Sequence, residues 1–307
     1  MPRLLPVPAC GPDEVLVRVH TAGVGIWDVK ARRGEWASGK EHFPIVLGAD
    51  GSGTVAAVGA DVQGLAPGDH VYGYHWRRSK SGFYAEYVTL GAEHVAPIPA
   101  SLGLRDAGGI AVSGLTALAG IDDALALRGG ETVLVYGATG GVGSVAVQLA
   151  QRRGAHVIAT ARGADGVAYL RRLGIVDPID VQNDGLQSAL REAAPEGIDA
   201  VLALAGGAGI GPALDALRSG GRVAYPNGVT LPTRDGNSAH AFDGVPSRAA
   251  FARLSATIDA GPFEVPIGAL FALDEAADAH RLLERGHVLG KVVLAVDELE
   301  EEIEKVA

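Results

Sequence analysis

The sequence predicts an α/β protein: a doubly wound parallel sheet with a second, β-rich region beside it. Three observations predict this. The first hundred residues alternate in the strand manner between turn signals, residues 132–150 run strand, glycine turn, helix, and strand and helix patterns then alternate. A length of 307 residues favours two domains, and 48% hydrophobic with 20% charged residues supplies a core and excludes disorder.

The elements follow in order. Residues 14–20 (Glu-Val-Leu-Val-Arg-Val-His) alternate apolar and polar, as a half-buried strand does, and 52–59, 69–73 and 84–90 read as further strands. Turn signals such as Pro67-Gly68-Asp69 separate them. After Asp106 the pattern changes. Strands are expected at 132–136, 156–160, 198–204 and 221–225, with helices at 142–153, near 165–173 and near 211–218. Helices are expected at 246–260 and at 273–286 from Asp274, a strand at 291–296, and an acidic helix or frayed end at 297–305.

The segment Thr132-Val-Leu-Val-Tyr-Gly137-Ala-Thr-Gly140-Gly141-Val142-Gly143-Ser carries the most chemistry. Gly140 lets a backbone approach a pyrophosphate, and Gly143 lets the helix pack against the strand. The helix N-terminus adds free N–H groups and a positive dipole end. The first glycine of the G-x-G-x-x-G fingerprint is here Ala138, so dinucleotide binding and a merely tight structural turn both remain open readings. The next strand ends Thr160-Ala-Arg162, 19 residues beyond Gly143, and no Asp or Glu occupies 156–164. An acid there would bind ribose hydroxyls; an Arg suits a 2′-phosphate and hence NADPH, the alternative being a solvated surface Arg.

Other function classes find little support. A single cysteine, Cys10, excludes an intrachain disulfide and a multi-cysteine metal site. Net charge −10 argues against nucleic-acid binding. There is no apolar run of about 18 residues and no leader-like start, so a cytoplasmic protein without membrane contact is expected. His20, His42, His94, His240 and His280 show no metal-ligand spacing, and no Gly-x-Ser-x-Gly motif offers a nucleophile.

The chain resembles the medium-chain dehydrogenase/reductase superfamily. The resemblance lies in residues 12–24, in Phe43-Pro-Ile-Val-Leu-Gly-Ala-Asp-Gly-Ser-Gly-Thr-Val55, in Pro67-Gly-Asp-His-Val-Tyr-Gly73, in Gly114-Leu-Thr-Ala117, in the glycine turn and in 286–294. The branch it is most similar to is the zinc-independent quinone oxidoreductases, the zeta-crystallin-like group. This implies a GroES-like catalytic domain (1–108 and 246–307) interrupted by a Rossmann NADPH-binding domain (109–245), and a homodimer. Zinc members place a Cys ligand where this chain has Gly25, and a His ligand in a Gly-His-Glu triplet that here reads Gly48-Ala49-Asp50. No metal is therefore expected. An electron-poor quinone or α,β-unsaturated carbonyl accepts hydride without the Lewis acid that alkoxide chemistry needs.

The resemblance also implies individual roles. Thr116 lies near the nicotinamide and Lys291 reaches the cofactor; Leu204, Asn227 and Gly228 follow strands at the ligand-binding edge. Lys30, Trp36 and Tyr72 are the substrate-pocket candidates, with Tyr74 to Arg78 as an aromatic and cationic loop. Each has a plain structural alternative: a helix-interior Thr, an exposed strand-start Lys, a turn, a solvated Lys, a snorkelling loop. Two further functions stay in view, an enoyl-thioester reductase and a non-catalytic NADPH-binding structural or sensory protein.

Overall fold

The structure, a computed structural model, describes residues 3–35, 45–75, 81–232 and 238–296. The chain divides into two compact units, Met1–Val112 with Pro246–Ala307, and Ser113–Val245.

The first unit begins with β1 (Glu14–Val24), helix α1 (Ile26–Arg32), β2 (Asp50–Val58), β3 (His70–Tyr74), β4 (Tyr87–Gly91), β5 (Val95–Pro97) and the short helix α2 (Leu104–Ala107). The alternation seen in the sequence sends Val15, Val17 and Val19 of β1 inward, where they pack with Val55, Val71, Val88 and Leu90. Antiparallel to β1 run β2 along most of its length and β4 opposite Glu14–Arg18. The strand expected from residue 84 begins only at Tyr87. Phe83 and Tyr84 instead donate backbone N–H groups to the carbonyls of Gly48 (3.0 Å) and Leu47 (2.9 Å).

Helix α3 (Ala111–Leu118) leads into the second unit: β6 (Thr132–Tyr136), α4 (Gly141–Arg152), β7 (His156–Ala161), α5 (Gly163–Arg172), β8 (Ile179–Asp180), α6 (Leu186–Ala193), β9 (Ile198–Ala203), α7 (Gly211–Asp215), β10 (Leu217–Pro226) and β11 (Ser238–Phe242). All pairings are parallel, in the order β11-β10-β9-β6-β7-β8. Chain order reverses between β6 and β9, the kind of switch point where open sheets bind ligands. Helix α7 stops short of the expected 218 because Leu217 already pairs with Ile198.

The chain returns to the first unit through α8 (Arg248–Asp259), β12 (Ile267–Ala272), α9 (Ala276–Arg285) and β13 (Lys291–Ala295). Strand β13 lies antiparallel to Thr21–Val24 of β1 and parallel to β12, completing a mixed seven-stranded sheet. The helix expected from Asp274 starts as a 3-10 turn, Leu273–Glu275, before α9. The expected tail element at 297–305 lies outside the described residues. No described helix is long and apolar enough to cross a membrane.

Candidate functional site

In the second unit the sequence-predicted residues collect at the carboxyl ends of four neighbouring strands. Gly137 leaves β6 with φ +87°, a left-handed conformation that favours glycine, and its N–H donates to Thr160 Oγ1 at 2.9 Å. Thr160, buried on β7, thereby ties the glycine turn to the adjacent strand. A Cβ on Gly143 would lie 2.3 Å from the Gly137 carbonyl, so only glycine lets α4 start this close. A Cβ on Gly140 would meet nothing nearer than 4.0 Å, which leaves the turn open at the position expected to face a pyrophosphate. Gly140 caps α4 without any side-chain hydrogen bond, so the first-turn N–H groups at Gly141 and Val142 have no side chain competing for them.

Of the flanking positions, Leu204–Ala205 packs against this turn. Leu204 donates its N–H to the Tyr136 carbonyl at 2.9 Å, and the Leu204–Ala205 backbone lies against Gly137. Gly228 has φ +93°, and Asn227 Nδ2 donates to Asp243 at 2.7 Å. Thr116 is buried on α3; Gly244 packs so closely that a Cβ there would be 2.5 Å from the Thr116 nitrogen. Arg162 is exposed at the start of α5. A carboxylate that the sequence reading missed, Asp180 of β8, binds the residue after it. Its oxygens accept from Gly163 N–H (2.9 Å), Gln182 N–H (3.0 Å) and Asn183 Nδ2 (2.7 Å), bonds that hold its carboxyl below the usual range.

In the first unit the two segments matching the zinc-ligand positions are joined by a carboxylate that sequence reasoning missed. Asp28, in the first turn of α1, accepts from Gly25 N–H through Oδ2 (2.9 Å) and from Gly48 N–H through Oδ1 (3.0 Å). Burial, with the charges of Asp28 and Asp50 nearby, pushes the Tyr84 hydroxyl up. Tyr84 in turn contacts His280 on α9, hydroxyl to Nε2 at 3.2 Å. Asp28 is 5% exposed; burial, with Asp50 nearby, pushes its carboxyl up to about 6 against the pull of Gly25, Lys291 and Gly48. Burial holds the 2%-exposed His280 down to about 4, a neutral ring, with Arg32 adding to the effect.

Beside this chain lies a buried ion pair. Lys291 Nζ stands 3.4 Å from both carboxylate oxygens of Asp50, and Asp50 Oδ2 also accepts from Val112 N–H at 3.0 Å. Asp50 is 1% and Lys291 7% exposed. Gly23 makes room: a Cβ there would fall 2.4 Å from Asp50 Oδ1 and 2.9 Å from Lys291 Cε. The position expected as an exposed strand-start Lys, or as a cofactor contact, thus holds a lysine paired within its own unit.

The described substrate-pocket candidates Lys30 and Tyr72 meet different neighbours. Lys30 sits half-buried on α1 with Nζ 5.2 Å from the Trp27 ring centroid, a cation–π contact. Tyr72 is 0% exposed; its ring meets Phe251 edge-on at 5.0 Å and its hydroxyl bonds Ser255 at 3.0 Å. It packs as a core side chain because β3 turns it under α8, and burial lifts its hydroxyl to about 12. His75 is buried and stacked on Phe83 at 5.8 Å, and Tyr74 is also buried. Trp36, Trp76, Arg77 and Arg78 lie outside the described residues.

Gly25 and Ala49 offer no donor side chain, and among the described residues no three His, Cys, Asp or Glu side chains gather to hold an ion. The residues present do not fit a catalytic zinc.

Residues 11–100 match the family described as "Alcohol dehydrogenase GroES-like domain", and residues 173–294 match "Zinc-binding dehydrogenase". The chain is 31% identical to the human "NAD(P)H oxidoreductase RTN4IP1, mitochondrial", over 93% of this chain and 82% of that one. Among solved structures it is similar to an NAD-dependent alcohol dehydrogenase (32% identity, TM-score 0.87, 96% of this chain and 95% of that one). It is also similar to the quinone oxidoreductase from Coxiella burnetii (29%, TM-score 0.84, 95% and 93%). With the parallel sheet, the glycine turn at its switch point and the mixed sheet of the first unit all in place, the chain belongs to the medium-chain dehydrogenase/reductase superfamily.

Proposed function

We propose that this protein is an NADPH-dependent reductase that passes hydride to a quinone or an α,β-unsaturated carbonyl without zinc, residues 109–245 forming its cofactor domain and 1–108 with 246–307 its catalytic domain. The observation that carries the reading is the grouping at the switch point of the parallel sheet: Gly137 to Gly143, Arg162, Leu204 and Asn227 follow strands that are neighbours in the sheet, and Thr160 lies near the end of one of them. When bound, the dinucleotide supplies the hydride. The chain's part is to hold and orient: first-turn N–H groups at Gly141 and Val142 toward the pyrophosphate, and Arg162 toward a 2′-phosphate. Thr116 and Gly228 are assigned to the nicotinamide end.

The likeness to an NAD(P)H oxidoreductase and to a quinone oxidoreductase supports the reaction class. The absence of donor side chains at Gly25 and Ala49 supports an acceptor already electron-poor. Lys30 remains the cation assigned to the acceptor side. A homodimer is the assigned assembly.

Arg162 gives the direct test of the cofactor. Arg162→Ala is expected to weaken NADPH by about 1.5–3 kcal/mol, as for hydrogen bonds to a charged group, and to leave NADH binding within about twofold. Titration of both nucleotides by fluorescence measures it. Equal losses for NADPH and NADH would remove Arg162 from the 2′-phosphate.

A further inference from the structure

The corner of the second unit where β7 ends contains a buried carboxylate to which the cofactor reading gives no role. Asp180 is 7% exposed and ends β8, opposite Ala161 of β7. Its Oδ1 accepts from Gly163 N–H (2.9 Å) and Gln182 N–H (3.0 Å), and its Oδ2 from Asn183 Nδ2 (2.7 Å). A carboxylate has room for about four such bonds, and the chain itself fills three of them. The backbone of Asp180 is fixed as well. Its N–H donates to Asp184 Oδ2 at 2.9 Å, and its carbonyl accepts from the N–H groups of Asn183 (3.1 Å) and Asp184 (2.7 Å).

These bonds bracket Arg162. On one side the Ala161 carbonyl accepts from Val181 N–H at 3.0 Å; on the other, Gly163 N–H is held by Asp180. Gly163 has φ +73°, and a Cβ there would stand 3.1 Å from Asp165 Oδ1, so glycine is the residue that lets this N–H turn to Asp180. Between the two anchors Arg162 is extended (φ −125°, ψ 119°), with its side chain exposed. Asp165, the other acid at this corner, also turns onto the backbone: its Oδ1 accepts from Gly166 N–H at 2.9 Å. A backbone held on both sides sets the direction in which the arginine leaves it. That lowers the ordering cost of a two-pronged contact with an anion.

We propose that Asp180 is a positioning residue for cofactor selection: it aims Arg162 at the 2′-phosphate of NADPH through the Gly163 N–H, and does not itself read the ribose hydroxyls. The proposal rests on the reductase reading above, in its assignment of Arg162. An acid at the end of a strand beside β7 would by itself favour ribose hydroxyls and repel a phosphate. Here three donors of the chain occupy the oxygens that a diol would need.

The test is fluorescence titration of NADPH and NADH into the wild-type chain, Asp180→Ala, Asp180→Asn, Arg162→Ala and the double variant Arg162→Ala with Asp180→Ala. Positioning predicts that Asp180→Ala weakens NADPH roughly 3- to 30-fold, as coupling within one hydrogen-bond network does, with NADH within about twofold. Asp180→Asn keeps an acceptor for Gly163 N–H and should recover most of the loss. With Arg162 already replaced, Asp180→Ala should change NADPH by less than about twofold, because the residue it positions is gone. Asp180→Glu, which keeps the charge and shifts it by one methylene, carries the same selective prediction if the alanine variant does not fold. Equal losses for NADPH and NADH, or a loss for NADPH that is as large without Arg162 as with it, overturn the positioning role and leave Arg162 on the phosphate. A greater loss for NADH than for NADPH overturns it in favour of a direct ribose contact. Arg162→Ala that leaves NADPH unchanged removes the assignment beneath the proposal, and the proposal with it.

Discussion

Gly23 shows how a single residue can be set by the chemistry around it. Its backbone lies across the Asp50–Lys291 pair, and a methyl group would occupy the space of Asp50 Oδ1. Removing one partner of a buried pair leaves the other charge unpaired and desolvated, which typically costs about 3–5 kcal/mol. Lys291→Met should therefore lower the unfolding free energy by about that amount in urea, and Gly23→Ala should destabilise in the same direction. A Lys291→Met loss below about 1 kcal/mol would mean that Asp50 finds water or a new partner. None of this was legible in the sequence. Asp28, Asp50 and Lys291 are separated by 22 and 241 positions, and their common burial comes only from the pairing of β1 with β2 and β13. Tyr72 shows the same limit: from the sequence it is a substrate-pocket candidate, and only the packing of α8 over β3 shows it covered by Phe251 and Ser255.

Elements were legible where pattern and punctuation agreed. Strand β6 and helix α4 lie within one residue of expectation because an apolar run, a glycine turn and a helical stripe follow one another without ambiguity. Strand β12, Ile-Gly-Ala-Leu-Phe-Ala, was not foreseen: it neither alternates nor carries a turn signal of its own, and its pairing with β13 decides its conformation. Strand β8, two residues long, is set by its pairing with β7 alone. Helix α8 offers an element-scale test. Ser247 caps it, its side chain accepting from Ala250 N–H at 3.2 Å. Ser247→Ala should cost about 1 kcal/mol of stability, read as a lower midpoint in urea, while Ser247→Asp or Ser247→Asn keeps most of it. No change in either case would show that the first turn of α8 is held by its packing alone.

Across the molecule, two buried groups give opposite pH dependences. Between about pH 4 and 6 the folded state keeps a proton on Asp28 that the unfolded chain releases, so this contribution to stability falls as pH rises. Between about pH 4 and 6.5 the unfolded chain protonates His280 while the folded state keeps it neutral, so this contribution rises with pH. Each is worth roughly 3 kcal/mol at full extent, and they oppose each other in the wild type. Asp28→Asn should gain stability relative to wild type as pH rises from 4 to 6, on top of a constant loss from its weaker hold on Gly25 and Gly48. His280→Gln should lose ground relative to wild type over 4 to 6.5. Thermal unfolding across that range measures both, and parallel curves for all three proteins would contradict the assignment of these protonation states.

The central claim is that the grouping at the switch point serves hydride transfer from NADPH to an electron-poor acceptor. The loss of nicotinamide absorbance with NADPH, and separately NADH, against a panel of quinones and enones tests it most directly. The account predicts acceptor-dependent oxidation of NADPH, faster than of NADH at equal concentration. NADPH that binds tightly yet is oxidised with no acceptor in the panel would contradict it and leave a dinucleotide-binding protein without reductase activity.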